Sequence, residues 1–386
     1  MKKFAALVLA VVMAVSLCAC GGNKKHDDSK IYIGGIGPLT GQYANYGLSV
    51  QHGAEVAVKE INEAGGMNGM TIEFSMQDST GDPEAAVTAY GKLMDWGMDA
   101  SIGTVLSGEM ASVVNASAKD DMFMITGSAS ADKCLEASTN AFRVCFYDSY
   151  QGIAAANYVA KNLAGKKVAV FYQSDLDYSD GLYKSFKAEC EKQKIDIVET
   201  QSFLSTDTDY TAQINALVDS KAEIIFLPIY AAEASVFLTQ AKNGTANAVF
   251  PSGTYFFGAD GLDGIMTKVS DPKEADNVLM LTPFAGESSS DPKVASFVAK
   301  YKAAYGSVPD QFAADGYDAI YAIKAAVEKA GYKKASDIKG SGLSAALVTL
   351  TVTGVTGEMK WQANGNTDKA AMAIIYQNGT GKVFGE

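Results

Sequence analysis

Histidine is scarce in this sequence of 386 residues, which contains only His26 and His52. Zinc enzymes and serine hydrolases depend on histidine as a ligand or as a base. His52 lies in a helical pattern with no acidic partner evident, and His26 lies in a polar stretch near the start. The sequence therefore disfavours most metalloenzymes and histidine-dependent hydrolases, and we expect no catalytic function, cofactor or metal.

Positive charge is also in short supply. There are 32 Lys and Arg residues against 44 Asp and Glu residues, which gives a formal net charge of −12. A chain this acidic is a poor candidate for binding nucleic acid or an anionic membrane surface through charge. With 48% apolar and 20% charged residues, the composition is that of an ordinary globular protein.

Cysteine is rare, and its spacing excludes common cysteine-based sites. Of five cysteines, two lie in the first 20 residues, and the others are Cys134, Cys145 and Cys190. None is in CxxC spacing, so neither a zinc site nor a disulfide framework is indicated. Buried thiols are the preferred interpretation, and a pair between Cys134 and Cys145 is left open.

The first segment has the layout of a secretory signal. Lys2 and Lys3 precede an apolar stretch from Phe4 to Leu17, which is shorter than the roughly 20 residues of a spanning helix. Ala19 then precedes Cys20, and this end resembles a bacterial lipobox. We predict a lipoprotein signal peptide at 1–19, lipidation of Cys20 and a polar tether at 20–30. The alternative is a plain cleaved signal.

The body alternates strand and helix patterns. Ile31–Gly37 predicts a buried parallel strand, and Val50, Ala54, Ala57 and Ile61 fall at helical spacing after it. A second block of the same kind begins near 149 and includes a predicted strand at 248–251. This rhythm predicts two α/β lobes, each a mostly parallel sheet with helices on both faces, and a ligand cleft between them.

The glycine-rich loop after the first strand does not predict a nucleotide site. Residues 34–41 read GGIGPLTG, which lacks the GK[ST] ending of a P-loop. The glycine spacing also misses the dinucleotide fingerprint by one position, and Pro38 removes an N–H group. We interpret the loop as a turn that lines the cleft.

Hydroxyl and aromatic residues follow several predicted strands. Ser107, Ser128 and Ser130 lie where free N–H and O–H groups hold an anion, although Ser107 is equally suited to cap a helix. Any single aromatic residue is by default a core residue. A set of them on predicted loops instead indicates a binding cleft, because a tyrosine offers an apolar ring and a polar hydroxyl to a small amphiphilic ligand. The set of aromatic residues is Tyr43, Tyr46, Tyr178, Tyr230, Tyr255, Phe256 and Phe257.

Several motifs in order resemble the branched-chain amino-acid-type periplasmic binding proteins, the substrate-binding subunits of ABC importers. They cover nearly the whole chain after the leader. The motifs are IGGIGPLTGQYANYG, AVKEINEAGGMNG, DSTGDPEAAV, VLSGE, ITGSASA, RVCFYDSYQGIAAANYVA, DYTAQINAL, IIFLPIYAAEA and DQFAADGYDAIYAI.

The resemblance implies a fold and a mode of action. It implies two lobes with three crossings and a ligand that closes them together. The lobes are then 31–148 with 281–355, and 149–280 with 356–386. The expected protein is a monomeric, lipid-anchored extracytoplasmic protein that delivers a small solute to an ABC permease and its ATPase.

The resemblance also assigns site residues. Ser107 matches a serine that holds the ligand's carboxylate, and Ala129 and Ser130 match the pair that binds the carboxyl and amino groups. Tyr46 matches an aromatic residue of the first loop. Tyr178 and Tyr230 match aromatic residues of the second lobe.

Two positions depart from the family pattern. The disulfide that many members carry is absent, since its places fall near Asp78–Gly81 and at Leu106. The acidic partner of an amino-acid ammonium falls at Thr254, which is neutral, so Glu109 or Asp175 is the substitute candidate. The leading ligand is an amino acid. The alternatives are a carboxylate or amide without an ammonium, a sensing domain that signals to a partner, and an extracellular enzyme.

Overall fold

The computed structural model describes residues 27–242, 249–284 and 286–385. The predicted signal peptide at 1–19, the proposed lipidation site at Cys20 and most of the predicted tether lie outside the described residues. Within the described ranges, no helix combines the length and the apolar character needed to cross a bilayer.

The first sheet is built from the N-terminal part of the chain. Its strands are β1 (Lys30–Gly37), β2 (Thr71–Asp78), β3 (Ala100–Thr104), β4 (Met124–Thr126) and β5 (Ala141–Arg143). They are parallel and lie in the order β2-β1-β3-β4-β5. Three helices connect the first four strands: α1 (Ala44–Glu63), α2 (Pro83–Trp96) and α3 (Ser107–Ala116). All residues of β3 and β4 are buried, as expected for central parallel strands.

The second sheet combines a parallel block with an antiparallel edge. The parallel strands are β6 (Val168–Gln173), β7 (Ile197–Phe203), β8 (Ile224–Leu227), β9 (Tyr255–Gly258) and β10 (Val278–Thr282). Their helices are α4 (Asp148–Asn162), α5 (Asp177–Gln193), α6 (Thr211–Asp219) and α7 (Ala231–Lys242).

The last quarter of the chain returns to the first sheet before it completes the second. It contains α8 (Pro292–Tyr305), α9 (Gln311–Ala330), α10 (Gly340–Leu347), the hairpin β11 (Thr351–Gly354) and β12 (Gly357–Lys360), then β13 (Met372–Gln377) and β14 (Thr380–Val383). Helix α9 packs along α1. Strands β13 and β14 join the second sheet, whose order is β14-β13-β10-β9-β8-β6-β7.

The predicted lobe boundaries differ from the strand ends in two places. The boundary between 280 and 281 falls inside β10, which ends at Thr282. The boundary at 356 falls at the turn of the β11–β12 hairpin rather than at the start of the second sheet's edge. The division of the chain into these lobes stays a prediction.

One predicted strand is wrong, and the error displaces a site residue. Residues 249–251 lie outside any strand, and β9 begins at Tyr255. The chain turns between them because Gly253 adopts a φ of +89°, and the backbone N–H and hydroxyl of Thr254 both donate to the Pro251 carbonyl. Thr254 therefore precedes β9, whereas the sequence prediction placed it after a strand.

Helices α1 and α9 approach so closely that two glycines face the opposite backbone. The predicted helical stripe of α1 is confirmed, since Val50, Ala54, Ala57 and Ile61 are buried. A Cβ atom at Gly53 would lie 1.8 Å from the Ala313 carbonyl oxygen, and one at Gly316 would lie 2.4 Å from the Val50 carbonyl oxygen. Since backbone cannot yield as a flexible side chain does, these positions accept only glycine.

We predict that Gly53→Ala lowers the free energy of unfolding by about 1–3 kcal/mol, because the new methyl group forces α1 and α9 apart. Urea denaturation measures the change. Gly91→Ala in α2 is the matched control, since a Cβ atom there meets nothing within 4 Å. That variant should gain roughly 0.5–1 kcal/mol. Equal losses in the two variants would contradict the packing argument.

Candidate functional site

A small cavity lies where the carboxyl ends of strands from both sheets meet. Its volume is about 10 Å³, roughly what one water molecule needs, so the walls nearly meet in this structure. Its walls follow β1, β3, β4, β6, β8 and β9 and include the start of α9. The lining residues are Tyr46, Val105, Leu106, Ser128, Ser130, Tyr178, Tyr230, Asp260, Gly261 and Phe312.

The loop after β4 is held from two sides. The Ser107 hydroxyl oxygen, at the start of α3, accepts hydrogen bonds from the Ser130 N–H at 3.2 Å and from the Ala131 N–H at 3.1 Å. On the other side, the buried Arg143 guanidinium donates to the Ser130 carbonyl and, at 3.0 Å, to the Ala131 carbonyl. Ser130 is thereby fixed against the cavity, with a positive charge behind it.

Ala129 does not line the cavity, although its two neighbours do. It is fully buried, and its carbonyl oxygen lies 3.6 Å from the Sγ atoms of both Cys134 and Cys145. Both thiols are free in the structure. The small residue predicted from the family pattern therefore packs inward, and Ser128 takes its place at the cavity wall.

The opposite wall presents a carboxylate. Asp260 follows β9, and its Oδ1 accepts a hydrogen bond from the Tyr178 hydroxyl at 2.8 Å. Burial raises the pKa of Asp260 to about 6, while the hydrogen bond from Tyr178 opposes the rise. Asp260 is 4% exposed and ionised at neutral pH, so the cavity has one acidic wall.

Stacked tyrosines join the two walls. The rings of Tyr178 and Tyr230 stack with centroids 4.7 Å apart at 10°. The ring centroid of Tyr46 lies 5.5 Å from that of Tyr230 and 4.9 Å from that of Phe312. The Tyr46 hydroxyl donates to the Gly261 carbonyl at 2.6 Å and accepts from the Ala231 N–H at 2.8 Å. Tyr46 thus ties a helix on the first sheet to two loops of the second.

A second set of contacts joins the lips of the cleft. The Glu233 carboxylate accepts from the Gln42 amide at 2.6 Å and from the Tyr43 hydroxyl at 2.9 Å. The Lys268 ammonium donates to the Gln42 carbonyl at 2.7 Å. These groups also come from opposite sheets, so they are contacts of a closed cleft.

The three predicted candidates for an ammonium partner do not reach the cavity. Thr254 lies at the amino end of β9, the end opposite to the cavity. The Glu109 carboxylate accepts from the Ser79 hydroxyl at 2.5 Å and from the Leu106 N–H at 3.3 Å, and burial raises its pKa to about 7. Asp175 is bonded to Ser205 at the end of another loop.

Sequence reasoning missed Asp260 and Phe312, whereas Ser128 was among the residues expected to hold an anion. Asp260 follows the run Tyr255-Phe256-Phe257, which reads as a strand once Pro251 and Gly253 are recognised as a turn. Phe312 is the third residue of the motif DQFAADGYDAIYAI. The sequence predicted a helix there but gave no sign that the start of this helix lines the cleft. Among the described residues there is no cluster of three or more His, Cys, Asp or Glu side chains placed to hold a metal ion.

Residues 30–382 match the periplasmic binding protein family. The chain belongs to that family. A relative named Leu/Ile/Val-binding protein homolog 3, from Brucella melitensis biotype 1, is 30% identical over 84% of this binding protein and 85% of the relative.

Solved structures give the same picture. The branched-chain amino acid transporter substrate binding protein LivJ from Streptococcus pneumoniae, in complex with isoleucine, is 29% identical with a TM-score of 0.81, and covers 92% of this binding protein and 98% of LivJ. A solute binding protein of an ABC transporter from R. palustris, in complex with benzoate, has a TM-score of 0.80 at 23% identity and covers 92% of this binding protein and 96% of that chain. The latter likeness shows the fold alone.

The resemblance seen in the motifs and the two-lobe α/β fold are confirmed. This is a solute-binding protein of the ABC type, and its family membership implies an extracytoplasmic location.

We predict that Tyr46→Phe speeds hydrogen exchange at the Ala231 amide by about tenfold or more, because a hydrogen bond of this kind contributes roughly 1–3 kcal/mol when its loss leaves a buried partner. Mass spectrometry of peptides that span 229–233 measures the change. Tyr90→Phe is the control, since the Tyr90 hydroxyl donates to Asp120 within the first sheet's own layer at 2.9 Å. Unchanged exchange at Ala231 in Tyr46→Phe would show that this bond is not formed in solution.

Proposed function

We propose that this binding protein captures an aliphatic α-amino acid between its two lobes and delivers it to the permease of an ABC importer. The observation that carries the proposal is the polarity of the cavity. Serine hydroxyls backed by Arg143 form one wall, and the Asp260 carboxylate forms the other. A zwitterion matches this arrangement because its two charges are opposite and a few ångströms apart.

The serine wall suits a carboxylate. Ser130 and Ser128 bring hydroxyl groups to the cavity, and Ser107 lies directly behind them at the N-terminus of α3, where the helix dipole favours negative charge. The buried guanidinium of Arg143 adds a positive charge without touching the cavity. Ser107 and Ser130 keep the carboxylate role that the resemblance implied.

Asp260 takes the ammonium role that the sequence prediction sought at Thr254. A charge-assisted bond to a carboxylate is about twice as strong as a neutral one. A ligand with a carboxylate alone would leave Asp260 buried and unpaired, at a cost of several kcal/mol. This argument favours an amino acid over a benzoate-type acid.

The remaining surface is apolar. Val105, Leu106 and Phe312 line it, and the rings of Tyr46 and Tyr230 cover it. An aliphatic side chain loses its contact with water there, which stabilises it by roughly 25 cal/mol per Å² of buried apolar area. The relatives named for leucine, isoleucine and valine agree with this chemistry.

Closure is the proposed mechanism. The ligand contacts both lobes only when the cleft is shut, so it shifts the population toward that state. Tyr46 and the pair of Gln42 and Glu233 hold the closed form together. The lobes are those predicted, 31–148 with 281–355 and 149–280 with 356–386, and the permease recognises the closed form.

We predict that leucine binds much more tightly than 4-methylpentanoate, its counterpart without the amino group, and that Asp260→Asn removes this preference. The expected loss for leucine is about tenfold to a hundredfold, the equivalent of roughly 1.5–3 kcal/mol for a bond to a charged group. Isothermal titration calorimetry measures both ligands. Glu109→Gln is the matched control and should keep the preference. A preference for leucine that survives Asp260→Asn would refute the ammonium assignment.

We also propose that the protein is anchored to the cell membrane by lipid on Cys20. Cys20→Ala should release the protein into the medium with leucine binding intact, because the predicted lipidation site is separated from the folded body by a polar tether. Fractionation followed by mass spectrometry of the N-terminal peptide measures this. A native protein without lipid, or a variant that stays membrane-bound, would contradict the lipobox assignment.

A further inference from the structure

Asp148 is a fully buried carboxylic acid behind the cavity. It is the first residue of α4 and is 0% exposed. Neither Oδ1 nor Oδ2 has a hydrogen-bond partner among the described residues. Placing an ionised carboxylate in such surroundings costs several kcal/mol, so the group must hold a proton or meet a positive charge.

The position of Asp148 is directly behind the cavity. Its backbone N–H donates to the carbonyl of the lining residue Ser130 at 3.0 Å. One helical turn further, the Gln151 side-chain carbonyl accepts from the Asp260 N–H at 3.0 Å, and the Gln151 amide nitrogen has no partner in the described part of the chain. The face of α4 that carries Asp148 therefore spans the gap between the serine wall and the acidic wall.

The charges around Asp148 do not neutralise it. Burial raises its pKa well above the ordinary value, Asp260 and more weakly Asp132 raise it further, and Ser130 and Arg143 lower it less. The Arg143 guanidinium is already engaged by the carbonyls of Ser130 and Ala131. The remaining titratable neighbours are the hydroxyls of Tyr178 and Tyr230 and the thiol of Cys134, and burial raises the pKa of all three, so each is neutral.

We propose that Asp148 is a second acidic determinant of the ligand site, which holds a proton in the ligand-free protein and selects for a positively charged head group. This inference rests on the proposed function. When the ligand's ammonium pairs with Asp260, its charge also stabilises the Asp148 carboxylate. The O–H bond of Asp148 then breaks, its electrons stay on the carboxylate, and the proton passes to solvent.

The sign of the pH dependence follows from proton release. A ligand that releases a proton binds more tightly as pH rises toward the pKa of the group in the ligand-free protein. Asp260 contributes in the same direction, but only near its own pKa of about 6. At pH 8, Asp260 has already lost its proton in the ligand-free protein. A proton released on ligand binding at that pH therefore comes from Asp148.

The experiment is calorimetry of leucine binding at pH 8 in buffers of different ionisation enthalpy, which counts the protons released. The native protein should release a fraction of a proton or more, and Asp148→Asn should abolish the release and bring the preference for leucine over 4-methylpentanoate down by about tenfold. Asp132→Asn is the matched control, because Asp132 is a nearby exposed acid that bonds Ser149, and it should keep both properties. Leucine binding without proton release would overturn this inference and leave the proposed function standing.

Infrared spectroscopy of the ligand-free protein at pH 8 gives a test that does not depend on leucine. A protonated carboxyl band should be present in the native protein and lost in Asp148→Asn. Its absence would overturn the inference even if no amino acid binds. Thermal unfolding tests whether Asp148 has only a structural role. Because Asp148→Asn removes an unpaired buried acid, the variant should be at least as stable as the native protein. A large loss of stability would contradict the proposal.

Discussion

Buried carboxylates set the main constraint on how the two sheets come together. Away from water, each needs a cation, a set of donors or a proton. Asp315 has the ammonium of Lys369 at 2.7 Å, and Asp318 accepts from the N–H groups of Val355 and Thr356. These groups are satisfied within the chain. Asp260 at the cavity wall has a tyrosine donor but no paired cation among the residues that the structure describes, which is why the proposed ligand brings one.

The direction of the parallel strands places Asp260 at the cavity wall. Parallel strands send their carboxyl ends to one edge of a sheet, and the loops after them meet there. The edge of the first sheet supplies Ser107, Ser128 and Ser130, and the edge of the second supplies Asp260. Tyr46 then reaches across to Gly261 and Ala231, so the same residue lines the cavity and holds the cleft shut.

Much of this arrangement could be predicted from local patterns. The stripe of Val50, Ala54, Ala57 and Ile61 indicated which face of α1 is buried, and α9 covers that face. The alternation of strands and helices placed Tyr46, Ser130, Tyr178 and Tyr230 on loops at one edge. These four residues line the cavity together. Such predictions succeed because they depend on spacing within one element.

The failures have a different cause. The wrong strand at 248–251 shifted the loop by several residues, so the acid was sought at Thr254 and missed at Asp260. Glu109 was a reasonable candidate by type and position, but its carboxylate is used by Ser79 and the Leu106 N–H. Competition for a side chain by its own neighbours is invisible until the packing is known.

The sequence by itself determined the family, the α/β class and the serine and tyrosine loops, because these depend on residue order and local period. Only the tertiary structure decided which neighbours of a loop face the cavity, as with Ser128 in place of Ala129. It alone decided that Arg143 lies behind the serine wall and that the Asp148 carboxylate has no hydrogen-bond partner within the described ranges. Those outcomes depend on burial and on contacts between residues far apart in the chain, and no local pattern encodes them.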